Sequence, residues 1–472
     1  MEWKGARIGV LGVARSGIAV GKILQSCGSS VLLSDTRSEE QLGDYLKQAR
    51  EAGLEVETGG HSERLLHVDA LVISPGVSVY APVVQASLKA GVPVLGEVEV
   101  AWELCPRPLI GVTGTNGKST TASLIQLALA PRSILAGNIG VPLVAEVSRD
   151  LSEIDWVVAE ISSFQLETVH GFRPKVAVLT NITPDHLDRH PTIEEYIAAK
   201  CRIFWQQGEG DIAILNADDP QAAHVADLLE QRLSLPVWMD GFPPRPKPSP
   251  RVYTYSTRGP VERGCWLDAG DVIFQDSDRK TLFRWDFDNL PGEHNLSNAL
   301  AATLAAHLLG ATPEQIALAL GGYRSLHHRL ELVGTIGSVR FIDDSKATNI
   351  SSVEAALTTY TDPIVLIAGG RDKGLDLDLL GQHIARHCAG LVVIGEAAET
   401  IAAAATRHGL PSVTRASSID EAVELAYRLV PPDGGVVLLS PACTSFDMFK
   451  NAEDRGDRFA GSIHKLQQKE GQ

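Results

Sequence analysis

The stretch GVTGTNGKST, residues 111–120, decides how the part of the chain around it folds. It follows the apolar pair Leu109-Ile110 and leads into the helix-forming run TASLIQLALA. Its glycines and the pair Lys118-Ser119 match the pattern G-x-x-x-x-G-K-[ST]. In that pattern backbone N–H groups wrap a phosphate, the lysine reaches the β- and γ-phosphates, and the hydroxyl binds magnesium. We therefore predict a strand, a nucleotide-triphosphate loop and a helix, rather than a chance match in a glycine-rich turn.

Length and composition narrow the class of protein. A chain of 472 residues is long enough for about three domains of ~150 residues each. Its 58 acidic and 42 basic residues give a net charge of −16, which argues against a nucleic-acid or anionic-membrane partner. The six cysteines are scattered without a C-x-x-C pair, and no apolar run of ~18 residues is present. These features predict a reduced, cytoplasmic enzyme.

The first ~98 residues alternate between apolar strands and helical runs, as in a parallel βαβ unit. RIGVLG, SVLLSD and ALVISPG are the expected strands, and IAVGKILQSCG is the expected first helix. The segment Gly12-x-Ala14-x-Ser16-Gly17 resembles the dinucleotide fingerprint, with Asp35 near the ribose-binding distance. Ala14 replaces the glycine that lets a backbone approach a pyrophosphate, so a simple packing turn remains an open alternative.

Two further strand-and-helix series follow. In the middle, WVVAEISSFQLE, KVAVLTNITPDHLDRH and IAILNADD are expected strands, residues 240–290 are expected to be irregular β structure or a surface excursion, and EHNLSNALAATLAAHLLG is an expected helix. After residue 329, PIVLIAGGRDKG, GLVVIGE and GVVLLSPACTSFD predict another parallel sheet. The predicted fold is thus α/β, with domains at 1–98, 99–325 and 326–472.

Several polar residues at strand ends are candidates for chemistry. Glu160 ends a strand where a magnesium-binding acid would lie, although it could simply cap a helix. The stretch NITPDHLDRH holds Asp185, His186, Asp188 and His190, which suit a second divalent ion or a general base. Lys200 lies on a predicted helix, and the residues alone favour a solvated surface lysine there.

Two turns, FIDDSKATN at 341–349 and SPACTSFDMFKNAEDRG at 440–456, are rich in hydroxyls and lysines. They could bind carboxylates, or Asp344-Ser345 and Ser445 could act only as helix caps. Arg329 follows two histidines and is either a surface charge or a nucleotide contact.

In their order and spacing, GVTGTNGKST, AEISSFQLE, NITPDHLDRH, AAKCRIF, EHNLSNALAA, HHRLE, DDSKATN and SPACTSFDMFKN resemble the Mur ligases of peptidoglycan synthesis. SDTR at 34–37, SPG at 74–76 and GNIG at 137–140 are similar to the uridine-nucleotide contacts of the branch that adds D-glutamate. The resemblance implies a Rossmann-like first domain, a central ATPase-like domain with the phosphate loop, and a Rossmann-like C-terminal domain. It implies a cytoplasmic, monomeric ATP-dependent amide ligase that adds D-glutamate to UDP-N-acetylmuramoyl-L-alanine through an acyl phosphate, without a nucleic-acid or membrane partner.

The resemblance also implies roles for individual residues. ATP contacts are implied for Gly114, Thr115, Asn116, Gly117, Lys118, Ser119, Thr120, Asn295, Arg329 and Asp344. Contacts to the UDP substrate are implied for Ser16, Asp35, Thr36, Arg37, Ser74, Gly76 and Asn138. Contacts to D-glutamate are implied for Lys346, Thr348, Lys373 and Ser445. Two Mg²⁺ sites are implied, held by Ser119, Glu160, His186 and a carbamylated Lys200, and the implied catalytic residues are Lys118, Glu160, His186 and Lys200.

Two departures and several alternatives bear on this assignment. Arg371 stands where some members have an acid, and Ala452 stands where a phenylalanine is frequent near the amino-acid pocket. Sister ligases that add L-alanine, a diamino acid or a dipeptide remain alternatives, but the D-N-P-R turn of the diamino-acid enzymes is absent from the sequence. Folylpolyglutamate synthases lack a UDP-binding first domain. A dinucleotide-dependent regulatory module would need the fingerprint that Ala14 disrupts, and a non-catalytic nucleotide-gated binding protein would need neither His186 nor Lys200.

Overall fold

The computed structural model describes residues 1–186, 189–237 and 248–470. By their contacts, these residues form two compact units. The first comprises Met1–Ile182, Arg189–Asp286 and Ser297–Gly321, and the second comprises Thr183–Asp188, Phe287–Leu296 and Gly322–Gln472.

The first unit begins with a five-stranded parallel sheet in the order β3-β2-β1-β4-β5. Its strands are β1 (Arg7–Leu11), β2 (Ser30–Ser34), β3 (Glu55–Glu57), β4 (Ala70–Ile73) and β5 (Val94–Gly96). Its helices are α1 (Arg15–Ser26), α2 (Glu39–Leu42), α3 (Asp44–Glu51), α4 (Pro82–Lys89) and α5 (Glu97–Leu104), with a 3-10 helix at Glu63–His67. The strand order reverses between β1 and β4, and such a switch point opens a ligand crevice at the carboxyl ends of the strands. The predicted Rossmann-like fold is confirmed.

The same unit contains a nine-stranded sheet in the order β14-β13-β12-β11-β10-β9-β6-β8-β7. Its strands are β6 (Leu109–Thr113), β7 (Ser133–Gly137), β8 (Trp156–Glu160), β9 (Val176–Leu179), β10 (Ile212–Asn216), β11 (Arg251–Ser256), β12 (Gly264–Asp268), β13 (Asp271–Gln275) and β14 (Arg279–Arg284). The helices of this stretch of chain are α6 (Lys118–Ala128), α7 (Leu143–Val147), α8 (Ser163–Leu166), α9 (Ile193–Cys201), α10 (Pro220–Glu230), α11 (Glu293–Leu308) and α12 (Pro313–Gly322), with a 3-10 helix at Arg202–Phe204.

The segment expected to be irregular β structure instead supplies regular strands. β11 pairs in parallel with β10, and β12, β13 and β14 form an antiparallel meander that extends the sheet. Residues 238–247, which include the start of that segment, lie outside the described residues. The expectation of β structure is confirmed, and the expectation of irregularity is wrong for β11 to β14.

The second unit contains a six-stranded sheet in the order β15-β16-β20-β17-β18-β19. Its strands are β15 (Glu331–Ile336), β16 (Val339–Asp343), β17 (Ile364–Gly369), β18 (Cys388–Ile394), β19 (Val413–Arg415) and β20 (Gly435–Leu439). Its helices are α13 (Ile350–Leu357), α14 (Leu377–His387), α15 (Ala398–Arg407), α16 (Ile419–Leu429) and α17 (Ala452–Glu470). β15 and β16 form an antiparallel hairpin, and the other neighbours are parallel, as predicted.

Parallel strands covered by helices on both faces are apolar throughout, which explains why they could be recognised in the sequence. All six residues of β17 and all five of β20 are buried. All six cysteines lie within the described residues and are free thiols. Among the described residues, no helix is both long enough and apolar enough to cross a lipid bilayer.

Candidate active site

The phosphate loop runs from β6, whose five residues are all buried, to the first turn of α6. Gly117 precedes that helix in the left-handed conformation (φ +79°), and a Cβ there would lie 2.1 Å from Oδ1 of Asn298. Gly114 has φ +146°, and its Cβ would lie 1.9 Å from Oγ1 of Thr180. Both glycines are therefore required by backbone conformation and by close packing.

Hydrogen bonds hold the loop in shape. The N–H of Asn116 donates to Oδ1 of Asn181 (2.9 Å), and Oγ1 of Thr180 donates to the carbonyl oxygen of Asn116 (2.6 Å). The Lys118 ammonium donates to the carbonyl oxygens of Gly114 (3.0 Å) and Thr115 (2.7 Å). The loop is thus ordered around its lysine, and the binding of phosphates by Lys118 stays a prediction.

Glu160 ends β8 beside the strand that feeds the loop, because Glu160 pairs with Val112 in the sheet register. Its Oε1 accepts a hydrogen bond from Nδ2 of Asn138 (2.8 Å), and its backbone oxygen accepts one from the Asn138 N–H (2.8 Å). Its Oε2 is buried and accepts no hydrogen bond from the described residues. A buried carboxylate oxygen without a partner is costly unless an ion or water satisfies it, so Glu160 is suited to bind a cation.

The contact between Glu160 and Asn138 adds to what the sequence suggested for Asn138. The resemblance placed Asn138 only among contacts to the UDP substrate, whereas its amide here orients the candidate metal ligand. GNIG begins at Gly137, the last residue of β7, which pairs with Glu160, so the sheet brings Asn138 beside that carboxylate.

Lys200 lies in the last turn of α9 and is 1 % exposed. Its ammonium donates to the carbonyl oxygen of Gly114 (2.7 Å) and lies over the ring of Tyr196, 4.4 Å from the centroid. The Tyr196 hydroxyl is 3.2 Å from Oγ1 of Thr115, so the helix packs on the phosphate loop at two points. The alternative of a solvated surface lysine is wrong.

The described part of the Asp/His cluster divides between the two units. Asp185, in the second unit, accepts hydrogen bonds from Nδ2 of Asn349 (2.8 Å) and from the Lys373 ammonium. Burial opposes its ionisation, but the charges of His186 and Lys373 and these hydrogen bonds hold the pKa of Asp185 below its ordinary value. The His186 ring nitrogen Nε2 is 3.8 Å from Asp185 Oδ2, and His186 has φ +56°. Lys373, expected near D-glutamate, is therefore anchored to the cluster.

The two remaining residues of the cluster are His190, which is buried in the first unit, and Asp188. His190, in the first unit, is fully buried, with Nε2 3.1 Å from Oγ of Ser163. Asp188 lies outside the described residues.

In the second unit, the carboxylate of Asp344 is buried and accepts a hydrogen bond from Oγ of Ser440 (2.9 Å). Burial raises the pKa of Asp344 to about 7, although Ser440 and the charge of Arg329 act against this rise. Neither Asp344 nor Ser345 caps a helix with its side chain in the way considered above, because the N-cap of α13 is Asn349. Asp344 remains a candidate for binding a polar group.

The expected amino-acid contacts lie on the loops of the second unit. The Lys346 ammonium is 2.5 Å from Oε1 of Glu453, and Ser445 is buried, whereas Thr348 is half-buried. Arg371 pairs with Glu396, and the backbone oxygen of Ala452 accepts a hydrogen bond from Oγ of Ser345 (2.7 Å). The contact between Ala452 and Ser345 is made by the backbone, so it does not depend on a phenylalanine side chain at position 452.

Asp35 holds together the turns at the carboxyl ends of β1 and β2. It accepts hydrogen bonds from the N–H of Val13 (2.8 Å) and from the N–H and guanidinium of Arg37. These bonds outweigh burial and hold the pKa of Asp35 at about 2. A Cβ on Gly17 would lie 1.9 Å from the backbone oxygen of Gly12, so the fingerprint glycines serve close packing in this turn.

The three segments expected to contact the UDP substrate lie in the first unit, and two of them are tied to neighbouring elements. The guanidinium of Arg15, next to Ser16, donates to the backbone oxygen of Gly140 in the GNIG loop (2.6 Å). Arg189 donates to the backbone oxygens of Pro75 (3.2 Å) and Val77 (2.9 Å) around the SPG loop. Thr36, Ser74 and Gly76 follow the carboxyl ends of β2 and β4, the expected side of the sheet.

Comparison with known sequence families decides the assignment. The description "Mur ligase MurD-like, N-terminal domain" matches residues 6–96, "Mur ligase middle domain" matches residues 112–306, and "Mur ligase, glutamate ligase domain" matches residues 328–443. The chain belongs to the Mur ligase family. The family expected from the phosphate loop and its accompanying motifs is thereby confirmed.

Two full-length relatives of this Mur ligase carry the same name. UDP-N-acetylmuramoylalanine--D-glutamate ligase of Pelotomaculum thermopropionicum is 42 % identical over 95 % of both chains. The protein of the same name from Geobacter metallireducens is 39 % identical over 99 % of both chains.

Solved structures resemble this Mur ligase in fold. A pseudomurein peptide ligase type C from Methanothermus fervidus aligns with a TM-score of 0.59 over 98 % of this chain and 100 % of the other, at 19 % identity. UDP-N-acetylmuramate-alanine ligase from Thermotoga maritima aligns with a TM-score of 0.59 over 98 % and 100 %, at 18 % identity. At such identities the likeness establishes the fold alone.

Proposed function

We propose that this Mur ligase joins D-glutamate to UDP-N-acetylmuramoyl-L-alanine in peptidoglycan precursor synthesis, converting ATP to ADP and phosphate. The observation that carries the proposal is the phosphate loop beside Glu160, whose buried Oε2 faces no partner among the described residues. The name shared by the full-length relatives supplies the substrate and the amino acid.

The residues around the loop fit ATP and magnesium. The loop amides from Gly114 to Thr120 would hold the phosphates, and Lys118 would exchange its bonds to loop carbonyls for bonds to phosphate oxygens. Ser119 and Glu160 would hold the metal, whose chemistry when bound is to neutralise charge on the transferred phosphoryl group. Asn295, Arg329 and Asp344 are the proposed further contacts to the nucleotide.

The reaction balances in two steps. A carboxylate oxygen of the substrate's alanyl group attacks the γ-phosphorus, and ADP leaves with the electrons of the broken P–O bond. The neutral amine nitrogen of D-glutamate then attacks the acyl carbon, phosphate leaves with the electrons of the broken C–O bond, and the nitrogen releases one proton to the medium and keeps the other as the amide N–H. Oriented N–H donors and cations stabilise the negative charge that develops in such steps.

Substrate contacts follow from the loops already described. Ser16, Asp35, Thr36, Arg37, Ser74, Gly76 and Asn138 are proposed for the UDP substrate. Lys346, Thr348, Lys373 and Ser445 are proposed for D-glutamate. The two lysines match the two carboxylates of the amino acid by charge. To bind them, Lys346 would have to break its ion pair with Glu453, and Lys373 would have to contact Asp185 and the substrate at the same time.

A second magnesium is proposed at His186 and a carbamylated Lys200. The burial of Lys200 and its contact with the phosphate loop support this role, because a surface lysine could not reach the loop. We further propose domains at 1–98, 99–325 and 326–472, and a monomer that works in the cytoplasm.

The test is a panel of amino acids. The purified protein is mixed with ATP, Mg²⁺ and UDP-N-acetylmuramoyl-L-alanine, and phosphate release is measured with D-glutamate, L-glutamate, L-alanine or L-lysine. We expect release with D-glutamate alone. Turnover with L-lysine and none with D-glutamate would reject the proposed amino acid, and release that does not depend on the UDP substrate would reject the reaction.

A further inference from the structure

The segment HHRLE, residues 327–331, leads into β15, which begins at Glu331, and it brings two histidine rings together just before that strand. The rings of His327 and His328 stack, with centroids 4.0 Å apart and planes at 19°. Each ring has its Nδ1 on a carboxylate. Nδ1 of His327 is 2.5 Å from Oε2 of Glu331, and Nδ1 of His328 is 2.7 Å from Oδ2 of Asp343.

The other nitrogen of each ring faces one common carboxylate. Nε2 of His327 and Nε2 of His328 both lie 3.7 Å from Oδ1 of Asp457 on α17. The three candidate ligand atoms lie within 4.8 Å of one another. A distance of 3.7 Å is too long for a hydrogen bond. It is close to the ligand–ligand separation of about 3.4 Å in a tetrahedral shell with metal–ligand bonds of about 2.1 Å.

We propose that His327, His328 and Asp457 bind a divalent transition-metal ion, with zinc as the expected metal and water in the fourth position. Imidazole nitrogens favour zinc, nickel or copper over magnesium, so this site differs in chemistry from the oxygen-lined site at Glu160.

The surroundings fit the requirements of such a site. Histidines that bind metals almost always donate their second N–H to a carboxylate or carbonyl, which fixes the tautomer and the direction of the ring. Glu331 and Asp343 occupy these positions, so both Nδ1 atoms act as donors and both Nε2 lone pairs remain for a metal. Two imidazoles and three carboxylates therefore alternate in this cluster, with each ring between two acids.

Gly456 makes the approach of α17 possible. A Cβ at Gly456 would lie 2.1 Å from Nδ1 of His328 and 2.6 Å from Oδ2 of Asp343. Any larger residue would push the helix away from the pair and would carry Asp457, the next residue, away from the rings.

The site is anchored on one side and open on the other. The side chain of His328 is 3 % exposed, whereas those of His327 and Asp457 are 67 % and 66 % exposed. An ion can therefore enter from solvent. Stacked rings direct their lone pairs in parallel, so the exposed ring of His327 must turn about its Nδ1 contact with Glu331 for its Nε2 to point at an ion held by His328.

The test uses the full-length protein, stripped with a chelator and kept in excess Mg²⁺ so that the magnesium sites are occupied. Zn²⁺ is titrated by calorimetry, and Co²⁺ by its visible absorption. The variants are His327→Gln and Asp457→Asn, which alter exposed side chains. The matched control is His408→Gln, since His408 also pairs with a surface carboxylate, Asp378 (3.1 Å), but belongs to no three-ligand group among the described residues.

We expect one zinc ion per chain, bound at least ten times more weakly by His327→Gln and by Asp457→Asn and unchanged by His408→Gln. The thermal midpoint of the wild type should rise with Zn²⁺, while the metal-free midpoints of all four proteins agree. Unchanged affinity in His327→Gln or Asp457→Asn would overturn the site. So would an intense cobalt–thiolate charge-transfer band, which would place the metal on cysteines instead. None of these readouts depends on ligase activity, so the result stands apart from that of the amino-acid panel.

Discussion

Replacing Gly117 by alanine tests whether the phosphate loop owes its shape to the glycine that precedes α6. Gly117 has φ +79°, a conformation that costs a residue with a Cβ about 1–2 kcal/mol. The new Cβ would also lie 2.1 Å from Oδ1 of the buried Asn298, which must move and lose its hydrogen bond from Oγ1 of Thr121, worth about 1 kcal/mol. The expected total is about 2–3 kcal/mol.

This strain must appear in one of two measurements. If the folded loop keeps its shape, Gly117→Ala lowers the thermal midpoint. If the loop relaxes to escape the clash, ATP binding must restore the strained shape, and ATP affinity falls about 30- to 150-fold at 1.4 kcal/mol per factor of ten. Both the thermal midpoint and the affinity for a fluorescent ATP analogue must therefore be measured on the same variant.

Two other glycines separate the causes. Gly53 also has a positive φ (+71°), but a Cβ there would meet nothing within 4 Å, so Gly53→Ala carries only the conformational strain. A Cβ on Gly259 meets nothing within 4 Å, and its φ lies outside the left-handed range, so Gly259→Ala carries neither effect. If Gly117→Ala matched Gly53→Ala in thermal midpoint and bound ATP like the wild type, the assigned role of Gly117 would be refuted.

Three further predictions follow from single residues. Lys118→Ala should fold normally and lose nearly all ligase turnover, since a cation on the transferred phosphate stabilises the transition state by several kcal/mol. Turnover above a tenth of the wild-type value would contradict the role of Lys118. So would an equal loss in the control Lys47→Ala, which alters an exposed lysine. Lys200→Ala should lose activity that a short carboxylic acid partly restores while ATP still binds, whereas wild-type rates in carbon-dioxide-free buffer would dismiss the carbamate. Glu97 is fully buried, and burial raises its pKa from 4.5 to about 7, so raising the pH from 4.5 to 7 removes about 3 kcal/mol of stability. Glu97→Gln should therefore raise the thermal midpoint at pH 8 and leave it unchanged near pH 4.5. Equal shifts at both pH values would be inconsistent with a buried titrating acid.

Local patterns were sufficient for the strands, the phosphate loop and the position of Glu160, because each depends on a short run of residues. The buried apolar strands β8 and β17 can be read directly, as can the helix that carries Lys200. The strands from β11 to β14 were harder to recognise, since each has only five or six residues and none is buried along its whole length.

Pairings between distant residues could not be read in this way. The Lys373–Asp185 ion pair joins groups 188 positions apart, and nothing local marks either as the partner of the other. The burial of Lys200 could not be predicted from the sequence for a different reason. Three of its four predecessors on α9, Tyr196, Ala198 and Ala199, are buried as well, so the helix has no single solvated face on which to place a lysine.

The positions of Lys118 and Lys200 favour an anion between them. Both ammonium groups donate to the carbonyl oxygen of Gly114, at 3.0 and 2.7 Å, so their nitrogens cannot be further apart than the sum of these distances. Two positive charges at about 5 Å repel by about 3 kcal/mol at an effective dielectric constant of ~20. Phosphate oxygens would draw Lys118 away from the carbonyl and offset one of the charges. Carbon dioxide added to Lys200 would remove the second charge and replace it with a carboxylate that attracts both Lys118 and a metal. Relief of this repulsion supports the carbamate proposed at Lys200.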